Sequence, residues 1–515
     1  LPPTWRPMGR RAAAAALIVA PCWADGGGEG AALPPEESCV DHCGSWAESC
    51  WCNEKCDQQD NWLWGCCADY AAVCGGGGGG GGSCPRVGGR CGDYSCDEWI
   101  RWKPSEYTCQ SLEERWGCDC TGCKECGGPA PKPAGTAALR LLPESDYPEA
   151  RCLDGSQAGY YLREGSSTHF QVYLEGGGWC YDQDCANPTV EGTLRDCRDR
   201  AKGRLGSSRS WAHTNDWLTG SLSADPKENP VFHNWTLVWV PYCDGMSFSG
   251  DAVVDGVHFK GRAILSAVIA DLKARTAIGD ASQVVLGGGS AGASAVFYHV
   301  DKVAEELALS HGEVVGLPDA GFFLDLKDRS GIDCWPAQMR SVFEVGNGTR
   351  SLNERCLARY PEEQSKCLFP EYFPDLIESR MFVINSFYDS SETYYTLRLS
   401  CCPGGCGGKY PACSGRDMYL FGAMRQQHMA GWAPLVNRTG NGVWAVACPT
   451  HTMAWDHWTD PEWEVPARSG YTMASAVGEW LSGAERERSY VHQDEVAFPD
   501  NAPCSGQHTG FSEVI

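Results

Sequence analysis

The sequence predicts an α/β fold, a mostly parallel sheet with helices on both faces, preceded by two small disulfide-rich modules. Three observations carry this expectation. A β-branched run at Gln283-Val-Val-Leu286 passes through glycines and one serine into a segment with helical spacing, Ala291–Glu306. Four apolar runs in the larger part of the chain each end in a Gly-rich or polar loop bearing a reactive side chain. The cysteines, finally, are crowded toward one end: sixteen lie between Cys39 and Cys126, and fourteen serve the rest of the chain after them.

At 515 residues the chain exceeds what one ordinary core accommodates, so at least two domains are expected. Sixty-six acidic against forty-two basic side chains give a net charge of −24. That balance excludes nucleic acid and an anionic membrane surface as natural partners, since both require basic patches. Thirty-one cysteines point to an oxidising compartment, where thiols become bridges. Residues 1–24 fit a signal peptide with some upstream residues. Met8-Gly-Arg-Arg11 is its basic region, Ala12–Ala20 its apolar region, and Cys22-Trp-Ala24 ends in a small residue suited to cleavage. Loss of Cys22 with that segment leaves an even thirty cysteines. No other apolar run approaches the length of about 18 residues needed to span a bilayer. Asn234-Trp-Thr236, Asn347-Gly-Thr349 and Asn437-Arg-Thr439 are glycosylation acceptors that fit a secreted, extracellular or cell-wall location.

The first module, residues 39–74, holds eight cysteines and has little room for a core, so bridges worth roughly 2–4 kcal/mol each must replace burial. Its spacing, Cys50-Trp-Cys52-Asn-Glu-Lys-Cys56 and then Cys66-Cys67-Ala-Asp-Tyr-Ala-Ala-Val-Cys74, resembles the somatomedin B domain. The spacer Asp57–Gly65, with Trp62 and Trp64, is longer than that family's. The resemblance implies a disulfide knot used for contact with an extracellular protein. Residues 75–83 follow as a glycine linker, with an r.m.s. span of about 15–18 Å. The second module, residues 84–126, has eight more cysteines. Its Cys118-Asp-Cys120-Thr-Gly-Cys123-Lys-Glu-Cys126 has zinc-like spacing, but disulfides are the expectation in a secreted chain, so no metal is assigned. A Pro/Gly linker at 127–136 leads to one large domain, residues 137–515.

In that domain Phe170–Leu174 runs into Glu175-Gly-Gly-Gly-Trp-Cys180, and Val284–Leu286 into Ser290. Met381–Ile384 runs into Asn385-Ser-Phe-Tyr-Asp389, and Val443–Ala447 into Cys448-Pro-Thr-His451. Ligands of parallel α/β sheets bind outside the carboxyl ends of the strands, so these four loops are expected to meet. Gly288-Gly-Ser-Ala-Gly292 fits G-x-S-x-G, in which a serine sits on a tight strand-to-helix turn. Ser290 is the candidate nucleophile, His451 the base and Asp389 the group that orients the imidazole. The Ala291 N–H with the amides of Gly177 and Gly178 would hold the oxyanion, and Trp179 would line the substrate pocket. The chain order Ser, Asp, His is that of an α/β-hydrolase. Rival assignments are His457 as base and Asp325 as acid. Glu175 is an alternative carboxylate catalyst, or a brace for its loop, and His428 reads as a surface histidine on a polar helical stretch, Met424–Met429.

Several of these motifs together are similar to the pectin acetylesterase/Notum family of serine carboxylesterases. They are Leu174-Glu-Gly-Gly-Gly-Trp-Cys180, Val240-Pro-Tyr-Cys243 followed by Ser249-Gly250, Gly288–Gly292, and Asp319-Ala-Gly-Phe-Phe-Leu-Asp325. Asn385–Asp389 and Cys448–His451 with His457-Trp-Thr459 complete the set, and the resemblance spans about residues 140–480. It implies an α/β-hydrolase fold, the triad Ser290, Asp389 and His451, no cofactor, and bridges drawn from Cys180, Cys185, Cys243, Cys334, Cys356, Cys367 and Cys448. Plant-like members deacetylate pectin, and Notum removes a fatty acyl group from a signalling protein. The chain departs from both at Ser390-Ser-Glu392, at Thr452-Met453 and in the insert Cys401–Cys413. The favoured substrate is a short acyl ester on a polysaccharide. Removal of a longer acyl chain from a protein is the alternative, and a matricellular binding protein acting through its cysteine modules is a third reading.

Overall fold

Runs dense in Val, Leu, Ile and aromatic residues form the strands, and the central ones are buried along their whole length, as parallel strands covered on both faces must be. The structure is a computed structural model that describes residues 135–497 apart from 186, 400, 402–412 and 484–486. Ahead of these it describes the backbone of 45–47 and 50–52, and residues 96, 99, 100, 107–109, 111, 112 and 120. The chain divides into two units, Leu1–Ser83 and Cys84–Ile515.

Ten strands of the second unit make one sheet. They are β1 (Ala137–Leu141), β2 (Gly159–Arg163), β3 (His169–Leu174), β4 (Thr214–Asn215) and β5 (Thr236–Val240). The others are β6 (Gln283–Gly289), β7 (Val314–Asp319), β8 (Phe382–Ser386), β9 (Gly442–Val446) and β10 (Tyr490–Gln493). Their order is β10-β9-β8-β7-β6-β3-β5-β2-β1-β4. Every neighbouring pair from β10 to β5 runs parallel, and β2, β1 and β4 add an antiparallel edge.

Because side chains alternate along a strand, β6 feeds two cores. Val284 and Leu286 pack with residues of α2 (Gly261–Arg275), α3 (Ala291–Leu307) and α5 (Gly415–Val436), whereas Val285 packs with Trp480 of α6 (Met473–Ser482). Helices therefore cover both faces, as the sequence predicts. The helical positions read from the sequence, Ala295, Val296, Val300, Val303, Ala304 and Leu307, are all buried. α5 starts at a capping box in which Ser414 and Asp417 each bind the other's backbone amide.

Disulfides fasten the loops to this frame. Cys180–Cys197 ties the loop after β3 to α1 (Val190–Arg200), and Cys185–Cys334 ties the same region to α4 (Cys334–Gly346). Cys152–Cys243, Cys356–Cys367 and Cys401–Cys413 close three further loops. Cys448 is also bridged. All seven cysteines that the family resemblance implicated are therefore in bridges, and Cys152, Cys197, Cys401 and Cys413 join them. In the second cysteine module Cys96 pairs with Cys120, one of the zinc-spaced residues, and the pair is buried against Leu112. No helix among the described residues is long and apolar enough to cross a membrane. In the first unit Ser45–Ala47 and Cys50–Cys52 form an antiparallel hairpin. The expected signal peptide, the glycine linker and the rest of the first module lie outside the described residues.

Candidate active site

β6 ends at Gly289 and α3 begins at Ala291, so Ser290 alone makes the turn between them. Its backbone has φ 53° and ψ −124°, a conformation costly for a residue with a β-carbon and held only when its surroundings over-determine it. Those surroundings are backbone. A β-carbon on Gly288 would fall 2.5 Å from the Gly292 carbonyl oxygen, and one on Gly292 would fall 2.1 Å from that of Leu174. No side chain fits either place. The Ser290 N–H donates to the Asp319 carbonyl at 3.0 Å, and the Ser290 carbonyl accepts from the Ser294 N–H at 3.0 Å. Ala291 is buried and contributes the first amide of α3, a donor without an intrahelical acceptor.

β8 and β9 deliver the acid and the imidazole. Asp389 is buried, and its Oδ2 accepts from His451 Nδ1 at 2.8 Å while its Oδ1 takes the amides of Ser391 and Glu392 at 2.9 and 3.3 Å. Burial alone would lower the pKa of His451, but the Asp389 carboxylate, with Asp319 and Glu392 behind it, raises it on balance. With Nδ1 engaged by Asp389, Nε2 is the nitrogen available to a partner in the cavity.

Ser290, Gly177, Gly178, Trp179 and His451 all line one cavity of about 240 Å³. The loops after β3, β6, β8 and β9 thus converge at the carboxyl edge of the sheet, as the four sequence segments led us to expect. Gly177 (φ 136°) and Gly178 (φ 64°) hold conformations that favour glycine, and the Gly177 carbonyl is fixed by Arg200 Nη2 at 2.7 Å. Trp179 Nε1 donates to Ser247 Oγ at 2.8 Å, and its ring meets those of Phe323 and Trp335 edge to face.

The family model described as Pectinacetylesterase matches residues 132–505. The chain belongs to the pectinacetylesterase family. It is 30% identical over 394 residues to pectin acetylesterase 5 of Arabidopsis thaliana, covering 73% of this chain and 86% of that relative. Pectin acetylesterase 11 of the same plant is 30% identical over 344 residues, 64% of this chain and 84% of its own length. The palmitoleoyl-protein carboxylesterase NOTUM of Homo sapiens is 31% identical over 325 residues, 60% of each chain. The protein is a carboxylic ester hydrolase.

Of the rival residues of this pectinacetylesterase-family chain, His457 and Glu175 line the same cavity, and Asp325 does not. Asp325 Oδ2 accepts from the Tyr372 hydroxyl at 2.6 Å, and it is Asp389, not Asp325, that is hydrogen-bonded to His451. His457 does line the cavity, but its Nδ1 faces Asp460 at 3.2 Å and its ring stacks on Trp463. Glu175 is buried, pairs with Arg204 and accepts the Tyr242 amide at 2.9 Å, so it braces its loop. Asn234 and Asn437 are exposed, while Asn347 is half-buried at the end of α4.

His428 corrects the surface reading. It is completely buried, with Nδ1 3.3 Å from the Phe387 carbonyl and Nε2 3.2 Å from that of Phe322 and 3.1 Å from Glu392 Oε2. Carbonyl oxygens only accept, so a doubly protonated ring fits this setting. Burial opposes that charge, and the Glu392 carboxylate overcomes it and raises the pKa of His428.

Sequence reasoning also passed over Asp319, whose buried carboxylate accepts the amides of Met453 and Ala454 at 3.1 and 2.8 Å and so holds the loop beyond His451. Burial pushes its pKa up to about 6, against these two hydrogen bonds. Its position at the end of β7, inside the motif Asp319–Asp325, was the available signal.

Proposed function

We propose that this esterase removes a short acyl group, acetyl foremost, from an extracellular polysaccharide such as pectin, through a Ser290 acyl-enzyme. The observation that carries the reading is His451, held by buried Asp389, on the wall of the cavity that Ser290 also lines. Ser290 Oγ attacks the ester carbonyl as His451 Nε2 takes its proton. The oxyanion is held by the amides of Ala291, Gly177 and Gly178. His451 then gives the proton to the departing alcohol, and water, activated by the same imidazole, releases the acid. Trp179 forms part of the acyl wall. Alignment along 84–86% of the length of the two pectin acetylesterases, against 60% of NOTUM, favours acetyl over a long fatty chain.

The test is hydrolysis of p-nitrophenyl acetate, octanoate and palmitate, with acetate release from acetylated pectin measured beside it. The proposal expects rates that fall with chain length and release of acetate. A maximum at eight carbons or more would move the protein to long-chain deacylation of the kind named for NOTUM.

Residues 39–74 complete the proposal as a somatomedin B-like knot that, with residues 84–126, delivers the esterase to a wall or matrix. The bridged cysteines, the N-terminal apolar run and the exposed acceptors Asn234 and Asn437 support passage through a secretory route. Deletion of residues 39–126 should lower activity on insoluble substrate and spare soluble esters. Equal activity on both would remove the delivery role.

A further inference from the structure

An ester has an acyl side and an alcohol side, and two separate groups of aromatic residues reach the Ser290 turn. Trp179, Phe323 and Trp335 form the enclosed one, with Phe323 and Trp335 buried. The other leads outward. The Tyr173 hydroxyl lies against Gly289, where a β-carbon would stand 2.6 Å from it, and accepts from Trp455 Nε1 at 2.6 Å. Trp455 lines the cavity and packs against Trp217 with ring centroids 5.6 Å apart. Buried Trp239 supports both, at 5.3 Å from Trp217 and 5.2 Å from Trp455. Trp217 remains 41% exposed. Trp217 meets the cavity through Trp455 rather than lining it, the two rings tilted by 42°, and a large exposed ring held by packing at the mouth of a cavity has the character of a ligand subsite.

We propose that Trp217 and Trp455 form a platform for a pyranose ring of the polysaccharide, on the alcohol side of the ester. This rests on the polysaccharide reading above and extends it to a binding site. One face of a pyranose is a sheet of polarised C–H bonds, which complements the negative face of an indole, while its hydroxyls project around the edge. Asp456 and His457 follow Trp455 on the cavity wall and supply polar partners for that edge. Asp460 engages His457 Nδ1, which directs Nε2 to a sugar hydroxyl. Both the sugar ring and the platform are rigid beforehand, so little conformational freedom is lost on contact.

The test measures binding of galacturonan and xylan hexasaccharides to the full-length Ser290→Ala protein by calorimetry, which needs no turnover. Acetate release from acetylated pectin by the unsubstituted protein is scored separately. At least one hexasaccharide should bind, Trp217→Ala should weaken that binding at least about tenfold (about 1.4 kcal/mol), and Trp217→Phe should keep it within about threefold. The preferred oligosaccharide shows whether the platform takes an acidic or a neutral sugar. Unchanged binding by Trp217→Ala, equal loss in Trp217→Ala and Trp217→Phe, or no binding of either sugar overturns the platform. Absent acetate release with Trp217-dependent binding intact would strike the pectin deacetylation reading and leave the platform standing.

Discussion

The turn that carries Ser290 and the loop that carries His451 face the same cavity but are held by different forces. The serine turn is fixed by backbone sterics: positive φ, flanking glycines pressed against carbonyl oxygens, and hydrogen bonds from main chain to main chain. The histidine loop is fixed by buried carboxylates from two other strands, Asp389 on the ring and Asp319 on the amides beyond it. One holds five consecutive residues against the main chain of Leu174 and Asp319, the other holds a loop through side chains far apart in sequence. Steric restraint should therefore fail all at once, whereas carboxylate restraint should fail by degrees.

The largest effect is expected on the carboxylate side, where the restraint touches the imidazole proposed as the base. Asp389→Asn should lower kcat about 10⁴-fold while circular dichroism stays unchanged, by analogy with the loss of an orienting carboxylate in serine proteases. A fall of less than tenfold would show that another group orients His451. Gly292→Val drives a side chain into the Leu174 carbonyl and should destabilise by about 3 kcal/mol or more in urea unfolding. A cost under about 1 kcal/mol would mean that the turn has room to relax. Asp319→Asn should cost less than either, because the new amide N–H₂ meets only one of the two backbone donors. It should cost about ten- to a hundredfold in kcat with little change in KM, consistent with losing one charged hydrogen bond. A pure KM effect would place Asp319 in substrate binding instead.

The mildest test is pH. In the proposed mechanism His451 must be neutral to accept the serine proton, and its pKa is raised above the ordinary value of about 6.5. The loss of kcat/KM on acidification should therefore have its midpoint above about 6.5. A midpoint below that value would show that burial outweighs Asp389.

This contrast also explains what was legible in the sequence. The Ser290 turn could be read because its causes are local: a β-branched strand, glycines two residues either side, and helical spacing after it. Asp389 and His451 were legible as loop residues beyond apolar runs, and the parallel sheet then supplies their meeting. Asp319 was hidden because its task is to bind amides of a loop more than a hundred residues away. His428 reads as a surface residue because its neighbours Arg425, Gln426 and Gln427 are polar, although only Gln426 is exposed, and Arg425 and Gln427 bind Asp494 and Glu371. Its own environment comes from Glu392, Phe322 and Phe387 on other elements. Trp217 carried no local pattern, and only the fold brings it to Trp455.

The nucleophile is tested most directly by intact-protein and peptide mass spectrometry after treatment with a fluorophosphonate, which phosphonylates an activated serine. One adduct is expected, on the peptide containing Ser290, formed in step with loss of p-nitrophenyl acetate hydrolysis and absent in Ser290→Ala. Adduct formation at another residue, or full hydrolysis by Ser290→Ala, would contradict that assignment.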